Sequence, residues 1–164
     1  MVETAKRAVM MLVVVASCVG CDQVTKGIAR ASLAGSPGYS FLGDLLRLQY
    51  SENHGAFLSL GASLPPAARF WLFTGAIGLV LLGLLVYSLY KPGISRAHGA
   101  ALALVLGGGI GNLIDRIAFN GGVTDFLNIG IGSLRTGIFN VADIAIMAGV
   151  GMLFYLGVKD AQRS

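Results

Sequence analysis

Between Phe70 and Tyr90 the chain reads FWLFTGAIGLVLLGLLVYSLY, twenty-one residues without a charge and with aromatic side chains at both ends. A helix needs about 20 apolar residues to cross the hydrocarbon of a bilayer, and its aromatic residues gather at the two water boundaries. This run sets the solvent: the chain folds in lipid. Three more apolar stretches follow less cleanly. One begins at Ala8 and continues into Asp22-Gln23-Val24-Thr25-Lys26, one runs from Gly99 to Ile114 and closes on Asp115-Arg116, and the last contains Asp143 near its start. Spans are expected at about 8–26, 70–90, 99–116 and 140–158. Composition agrees, with 12% charged residues against roughly 25% in a soluble domain. Eight acids and twelve bases cannot clothe a water-soluble fold of 164 residues.

The bases give the orientation. Lys6 and Arg7, Lys91 and Arg96, and Lys159 and Arg163 each flank an apolar run, where positive charges mark the cytoplasmic side. Both termini are then expected in the cytoplasm, with residues 22–69 and 115–140 outside. A net charge of +4 could suggest nucleic acid, but the bases are scattered without a stripe or interleaved aromatics, so no nucleic-acid partner is expected.

Leu33 to Pro66 mixes turn residues (Gly35, Pro37, Gly38, Gly43) with the alternation Leu46-Arg47-Leu48-Gln49-Tyr50, which predicts a small β element on the membrane surface. Gly107-Gly108-Gly109-Ile110-Gly111 lies inside an apolar run and lacks the strand that a phosphate loop must follow. It reads as helix packing through G-x-x-x-G. Cys18 and Cys21 fall within an apolar helix, so a redox role is not expected. Lys6-Arg7 followed by an apolar stretch and Val15-Ala16-Ser17-Cys18 also has the layout of a lipoprotein signal, a rival to a packed transmembrane helix for that segment.

Charged groups in membrane spans are costly, and function or internal pairing usually explains them. Here they collect at one boundary. Asp22 and Lys26 are four apart, as are Asn112 and Arg116, while Asn140 and Asp143 are three apart, so each pair shares a helical face. All three faces meet the outer boundary, and Asp125 in the outer loop can join them. His54 and His98 are the only histidines, on opposite sides, so no histidine-rich metal site and no cofactor are expected. Two aspartates held close cannot easily both ionise: one keeps a proton while the other activates water. Asp125 and Asp143 are the candidates.

Five segments together carry a resemblance: Asp22-Gln23-Val24-Thr25-Lys26, Asn53-His54-Gly55-Ala56-Phe57, Gly111-Asn112-Leu113-Ile114-Asp115-Arg116, Val123-Thr124-Asp125-Phe126 and Phe139-Asn140-Val141-Ala142-Asp143. In this order along nearly the whole chain, they resemble the motifs of the bacterial lipoprotein signal peptidases (signal peptidase II). The resemblance implies an all-α membrane protein with four transmembrane helices and a small periplasmic β-cradle. It implies one integral-membrane peptidase domain over 1–164, multi-pass in the bacterial inner membrane with its active site towards the periplasmic face. The implied activity is aspartic endopeptidase cleavage of diacylglyceryl prolipoproteins before the lipidated cysteine. Asp125 and Asp143 would be the catalytic pair. Asp22, Lys26, Asn53, Asn112, Arg116 and Asn140 would bind substrate or support the site, with membrane phospholipid around a protein expected to be a monomer. Two positions depart from the family pattern: Phe57 follows Ala56 directly, where another small residue is usual, and Thr124 stands where valine is common, bringing a hydroxyl that needs a partner if buried. The rival readings are a small proton-coupled carrier and a non-enzymatic membrane subunit, possibilities separated by whether the carboxylates act at one boundary or along a path through the midplane.

Overall fold

The computed structural model describes residues 2–55 and 63–162. Ala56 and Phe57, and with them the shortened second motif, lie outside the described residues, as does Arg163. Within them the chain runs α1 (Val2–Leu33), β1 (Tyr39–Phe41), β2 (Leu46–Asn53), α2 (Pro66–Phe70), a π-helical turn (Trp71–Ala76), α3 (Ile77–Tyr90), α4 (Arg96–Ala118), β3 (Val123–Ile131), β4 (Leu134–Arg135) and α5 (Val141–Ala161). Four stretches are long and apolar enough to cross a membrane: Glu3–Leu33, Trp71–Tyr90, Arg96–Ala118 and Val141–Ala161. The first helix extends well past Lys26, to Leu33, carrying Gly20 and Gly27 within it; no proline occurs before Pro37, and the turn residues begin at Gly35.

The glycines explain the helix arrangement. α4 is the central column: 56% of its apolar window is buried, against 11–17% for the other three spans. It is also the helix with the glycine run. A β-carbon at Gly107 would strike Cys18 of α1, at Gly108 the Ala142 carbonyl of α5, at Gly109 Leu81 of α3, and at Gly111 the Asp22 carboxylate. Gly107 and Gly111 thus admit α1, Gly108 admits α5 and Gly109 admits α3, which is the close approach that small residues allow between membrane helices. Cys18 is a packing residue in this contact. Gly108→Ala is expected to destabilise the protein by about 1–3 kcal/mol, since the clash is with backbone. Gly20→Ala, with open space around it, should leave thermal stability in detergent unchanged.

At the end of the bundle that carries the paired bases, Arg7 is buried and donates to the Ile94 carbonyl at 3.0 Å, while Arg96 pairs with Glu3 at 2.8 Å. At the other end lies the sheet, in the order β1-β2-β3-β4 and antiparallel throughout. The β element is therefore not confined to 33–66: half its strands come from the segment before α5, and Asp125 stands on a strand rather than in a loop. The β1–β2 turn is clamped by Asp44. Arg47 donates to its carboxylate at 2.6 and 2.7 Å, holding that carboxyl below the usual range, and Arg135 reaches its carbonyl at 2.8 Å.

The β2–β3 register contains a bulge. Leu46 faces Ile129 and Leu48 faces Leu127, but beyond it Ser51 faces Asp125 and Asn53 faces Val123. Three residues of β2 thus span two of β3. Because opposed residues share a face and side chains alternate, the extra residue turns the odd-numbered side chains of β2 to the face of Asp125.

Candidate active site

Five elements bring polar side chains to the sheet end of the bundle. α1 supplies Asp22, Gln23, Lys26 and Arg30; α4 supplies Asn112, Asp115 and Arg116; β2 supplies Asn53, β3 supplies Thr124 and Asp125, and the start of α5 supplies Asn140 and Asp143. All eight residues singled out in the sequence converge here.

The deepest layer is ionic. Lys26 is fully buried, with Nζ 2.8 Å from Asp22 Oδ2 and 3.4 Å from Asp115 Oδ2, and both carboxylates are themselves fully buried. Their remaining lone pairs are satisfied. Asp22 Oδ1 accepts from the Ala142 N–H at 2.9 Å, and Asp115 Oδ2 accepts from the Thr124 N–H at 2.9 Å. Gln23 Nε2 bridges the two acids at 3.2 Å to each. Arg30 lies 3.7 Å from Asp115 and 4.7 Å above the Phe119 ring, and donates to the Thr124 hydroxyl at 2.8 Å. The hydroxyl that distinguishes Thr124 from valine is buried and has its partner. Gln23 and Arg30 complete a cluster whose Asp22, Lys26 and Asp115 the sequence already places at the outer boundary, without pairing Asp115 with Lys26. The available signal was electrostatic: one buried ammonium at a membrane boundary leaves room for a second acid.

Above this layer stand the two candidate carboxylates. Asp143 occupies the third position of α5 in a capping box: Asn140 Oδ1 accepts from the Asp143 N–H at 3.0 Å, and Asp143 Oδ2 accepts from the Asn140 N–H at 3.1 Å. Its other oxygen accepts from Asn112 Nδ2 at 2.9 Å. Asp125 accepts from Asn140 Nδ2 at 2.7 Å on Oδ1 and from Asn53 Nδ2 at 3.1 Å on Oδ2. The bulge in β2 makes the second contact possible, since the uninterrupted register would turn Glu52 to this face instead. Asp125 is 2% exposed. Burial, and next the charge of Asp143, push its carboxyl up to about 6 against the pull of the two amides and Lys26.

The carboxylates open on a cavity of about 280 Å³ lined by Asn53, Ile77, Asn112, Arg116, Asp125 and Asp143 among others. Arg116 is buried; its NH2 donates to the Gly55 carbonyl at 3.1 Å and its NH1 to the Asn112 carbonyl at 3.4 Å, while Nε has no partner among the described residues. Next to this cavity, sharing Ile138, Asp143 and Met147 with it, runs an apolar groove of about 490 Å³ along the first two turns of α5. His54, which follows Asn53 in the chain, is half-buried and lies 3.5 Å from Glu52. The arrangement pairs two acids, each held by N–H donors, with a cationic side chain and an apolar trough.

A family model described as Signal peptidase (SPase) II matches residues 14–159. The lipoprotein signal peptidase of Halalkalibacterium halodurans is 36% identical over 143 residues, 87% of this chain and 88% of its own. That of Syntrophotalea carbinolica is 35% identical over 154 residues, 94% of each chain. The fold is similar to that of a bacterial membrane enzyme solved by the in meso method at 2.3 Å resolution, with a TM-score of 0.81 over 94% of this chain and 90% of that one at 24% identity. With the model spanning all four helices and these relatives aligned over most of their length, the chain belongs to the signal peptidase II family.

Proposed function

We propose that this protein is an aspartic endopeptidase that removes the signal peptide from diacylglyceryl prolipoproteins, cutting before the lipidated cysteine. The observation that carries the reading is the meeting of Asp125 and Asp143 at one cavity, each carboxylate held by N–H donors and bordered by an apolar groove. A lipid-anchored substrate stays in the plane of the membrane. A site at the boundary gives its scissile bond water while its acyl chains and signal helix remain in apolar surroundings.

The chemistry follows from the proton shared by the pair. In this reading the shared proton rests on Asp125, which is buried while Asp143 is partly exposed, and Asp143 is the carboxylate. Asp143 takes a proton from water as the oxygen adds to the scissile carbonyl carbon, and Asp125 gives its proton to the carbonyl oxygen. The tetrahedral diol then collapses: Asp143 returns its proton to the amide nitrogen, the C–N bond breaks, and Asp125 recovers a proton from a diol hydroxyl. Arg116, with an uncommitted N–H beside the cavity, is placed to hold a substrate carbonyl or a lipid headgroup. Asp22, Lys26, Asn53, Asn112 and Asn140 support the pair. In this reading both termini are cytoplasmic and the site faces the periplasm of the inner membrane.

The test is a gel-shift cleavage assay with purified protein and a matched pair of substrates, one diacylglyceryl-modified at its cysteine and one unmodified. Cleavage of the modified form, with at least about a hundredfold lower kcat/KM for the other, is expected from the loss of the buried acyl contacts. Equal rates would overturn the specificity, and no cleavage of either would overturn the peptidase reading.

A further inference from the structure

We propose that Lys26 is a positioning residue: its ammonium sets the orientation of the Asn112 side-chain amide, so that an N–H and not a carbonyl oxygen faces Asp143. This deepens the peptidase reading and rests on it.

An amide ends in an oxygen on one side and an NH2 of nearly equal size on the other, so the shape of the site alone does not choose between two orientations. Charge does. The Lys26 ammonium has three hydrogens to donate and no lone pair. It sits 2.8 Å from the near end of Asn112, in a site without exposed surface, and only an oxygen is tolerable there. With Oδ1 at the lysine, Nδ2 is committed to the opposite side, where Asp143 Oδ1 accepts from it at 2.9 Å. Asn140 Nδ2 also reaches Asn112 Oδ1, at 3.1 Å. Its two hydrogens are shared with Asp125 Oδ1 at 2.7 Å and the Thr124 carbonyl at 3.3 Å, so the ammonium is the deciding donor.

Reversal of Asn112 would set its carbonyl oxygen against Asp143 Oδ1. Two acceptors at hydrogen-bond distance repel unless one gains a proton, and the only titratable partner is Asp143. The proton would then rest on the carboxylate that must take one from water, and the pair would idle. The other charged groups facing Asp143 are Arg116 on α4 and Asp125 on β3, with Asp115 of α4 and Asp22 of α1 in the layer beneath; Arg116 donates to the Asn112 backbone carbonyl and not to Oδ1, whose donors are Lys26 and Asn140. Lys26 therefore acts on the reaction through Asn112, without contact with the reacting atoms.

Lys26 also has a structural part, because its partner Asp22 holds the Ala142 N–H of α5. The test must separate the two. In Asp22→Asn/Lys26→Met one positive and one negative charge leave together, so the local charge is unchanged, and the new asparagine still offers Ala142 an oxygen. With the lipidated substrate, KM is expected to stay within about threefold while kcat falls about a hundredfold. The acidic limb of kcat is expected to move up by about one pH unit. Wild-type kcat with an unmoved limb, or a loss confined to KM, would overturn the proposal. A second measurement is made on the wild-type protein, with Asn112→Leu used only for assignment: under 15N-asparagine labelling, the side-chain amide protons of Asn112 should shift with pH in step with the carboxylate pair. An amide indifferent to pH would overturn the proposal whatever the double variant does. Failure of the wild type to cleave the lipidated substrate would instead strike the peptidase reading, and the amide titration would still report the orientation.

Discussion

Asp143→Asn and Asp125→Asn are each expected to abolish cleavage of a lipidated substrate, with kcat falling on the order of 10⁴-fold, while the protein still inserts and folds. An asparagine at 143 cannot accept a proton from water, and one at 125 has none that it can release to the carbonyl oxygen. The two substitutions part company in stability. The Asp125 carboxyl moves from its ordinary value of 3.8 to about 6 in the folded chain, driven first by burial and then by Asp143. Between those values the folded state holds a proton that the unfolded state has lost. The stability contributed by this group is therefore greatest at acid pH and falls as the pH rises through about 6, by at most about 3 kcal/mol. Asp125→Asn removes the group, so its Tm is expected to exceed that of the wild type at pH 8, with the advantage gone near pH 4. Cleavage by gel shift and thermal unfolding in detergent at both pH values check this. Inactivity accompanied by a lower Tm at pH 8 would point to lost packing, not lost chemistry.

The largest effect on folding is expected from Lys26→Met alone. It leaves Asp22 and Asp115, both without exposed surface, facing one another with no ammonium between them. Removing one partner of a buried ionic group costs about 3–5 kcal/mol, because the charge left behind can neither reach water nor find a counter-charge. Asp115 retains Arg30 at 3.7 Å and Gln23, but Asp22 retains only Gln23 and the Ala142 N–H. The single variant is expected to accumulate poorly in membranes and to lose its thermal transition in detergent. Adding Asp22→Asn should restore most of the stability, since the remaining acid keeps its own donors. The yield of folded protein from membranes and the transition temperature distinguish these outcomes; equal stability of Lys26→Met and wild type would contradict the ionic account.

What could be read from the sequence was whatever the bilayer makes expensive. Charges are rare in this chain, so Asp22, Lys26, Asp125 and Asp143 stood out, and helical spacing placed Asn112 with Arg116 and Asn140 with Asp143 before any coordinates. The glycine run was legible as helix packing, since four glycines within five residues of one apolar helix let neighbours approach closely, whereas an isolated one such as Gly20 meets nothing. The sheet was less so. Val123–Ile131 alternates cleanly only from Leu127 onwards, because Asp125 stands on the apolar phase and Phe126 falls beside Leu127, and its pairing with Leu46–Asn53 links segments far apart in the chain. Nor did spacing show that Asp115 turns inward to Lys26, that Arg30 crosses to Thr124, or that α1 continues to Leu33 to carry Arg30 there. Those contacts depend on how helices face each other, which periodicity within one helix does not contain.

The extra residue in β2 makes the active site depend on counting. Upstream of it, the turn around Leu42–Leu45 lies at the margin of the sheet, where a change of length would leave the pairing of Ser51 with Asp125 in place. Between Leu48 and Ser51 the strand must keep its extra residue out of the ladder: were all three residues paired in an unbroken register, every later side chain would trade faces, and Glu52 would arrive on the face of Asp125 where Asn53 now donates. A third carboxylate would then replace an amide next to Asp125 and Asp143. A change of length in the β1–β2 turn leaves the site in place, whereas the four positions from Leu48 to Ser51 decide which face of β2 meets Asp125.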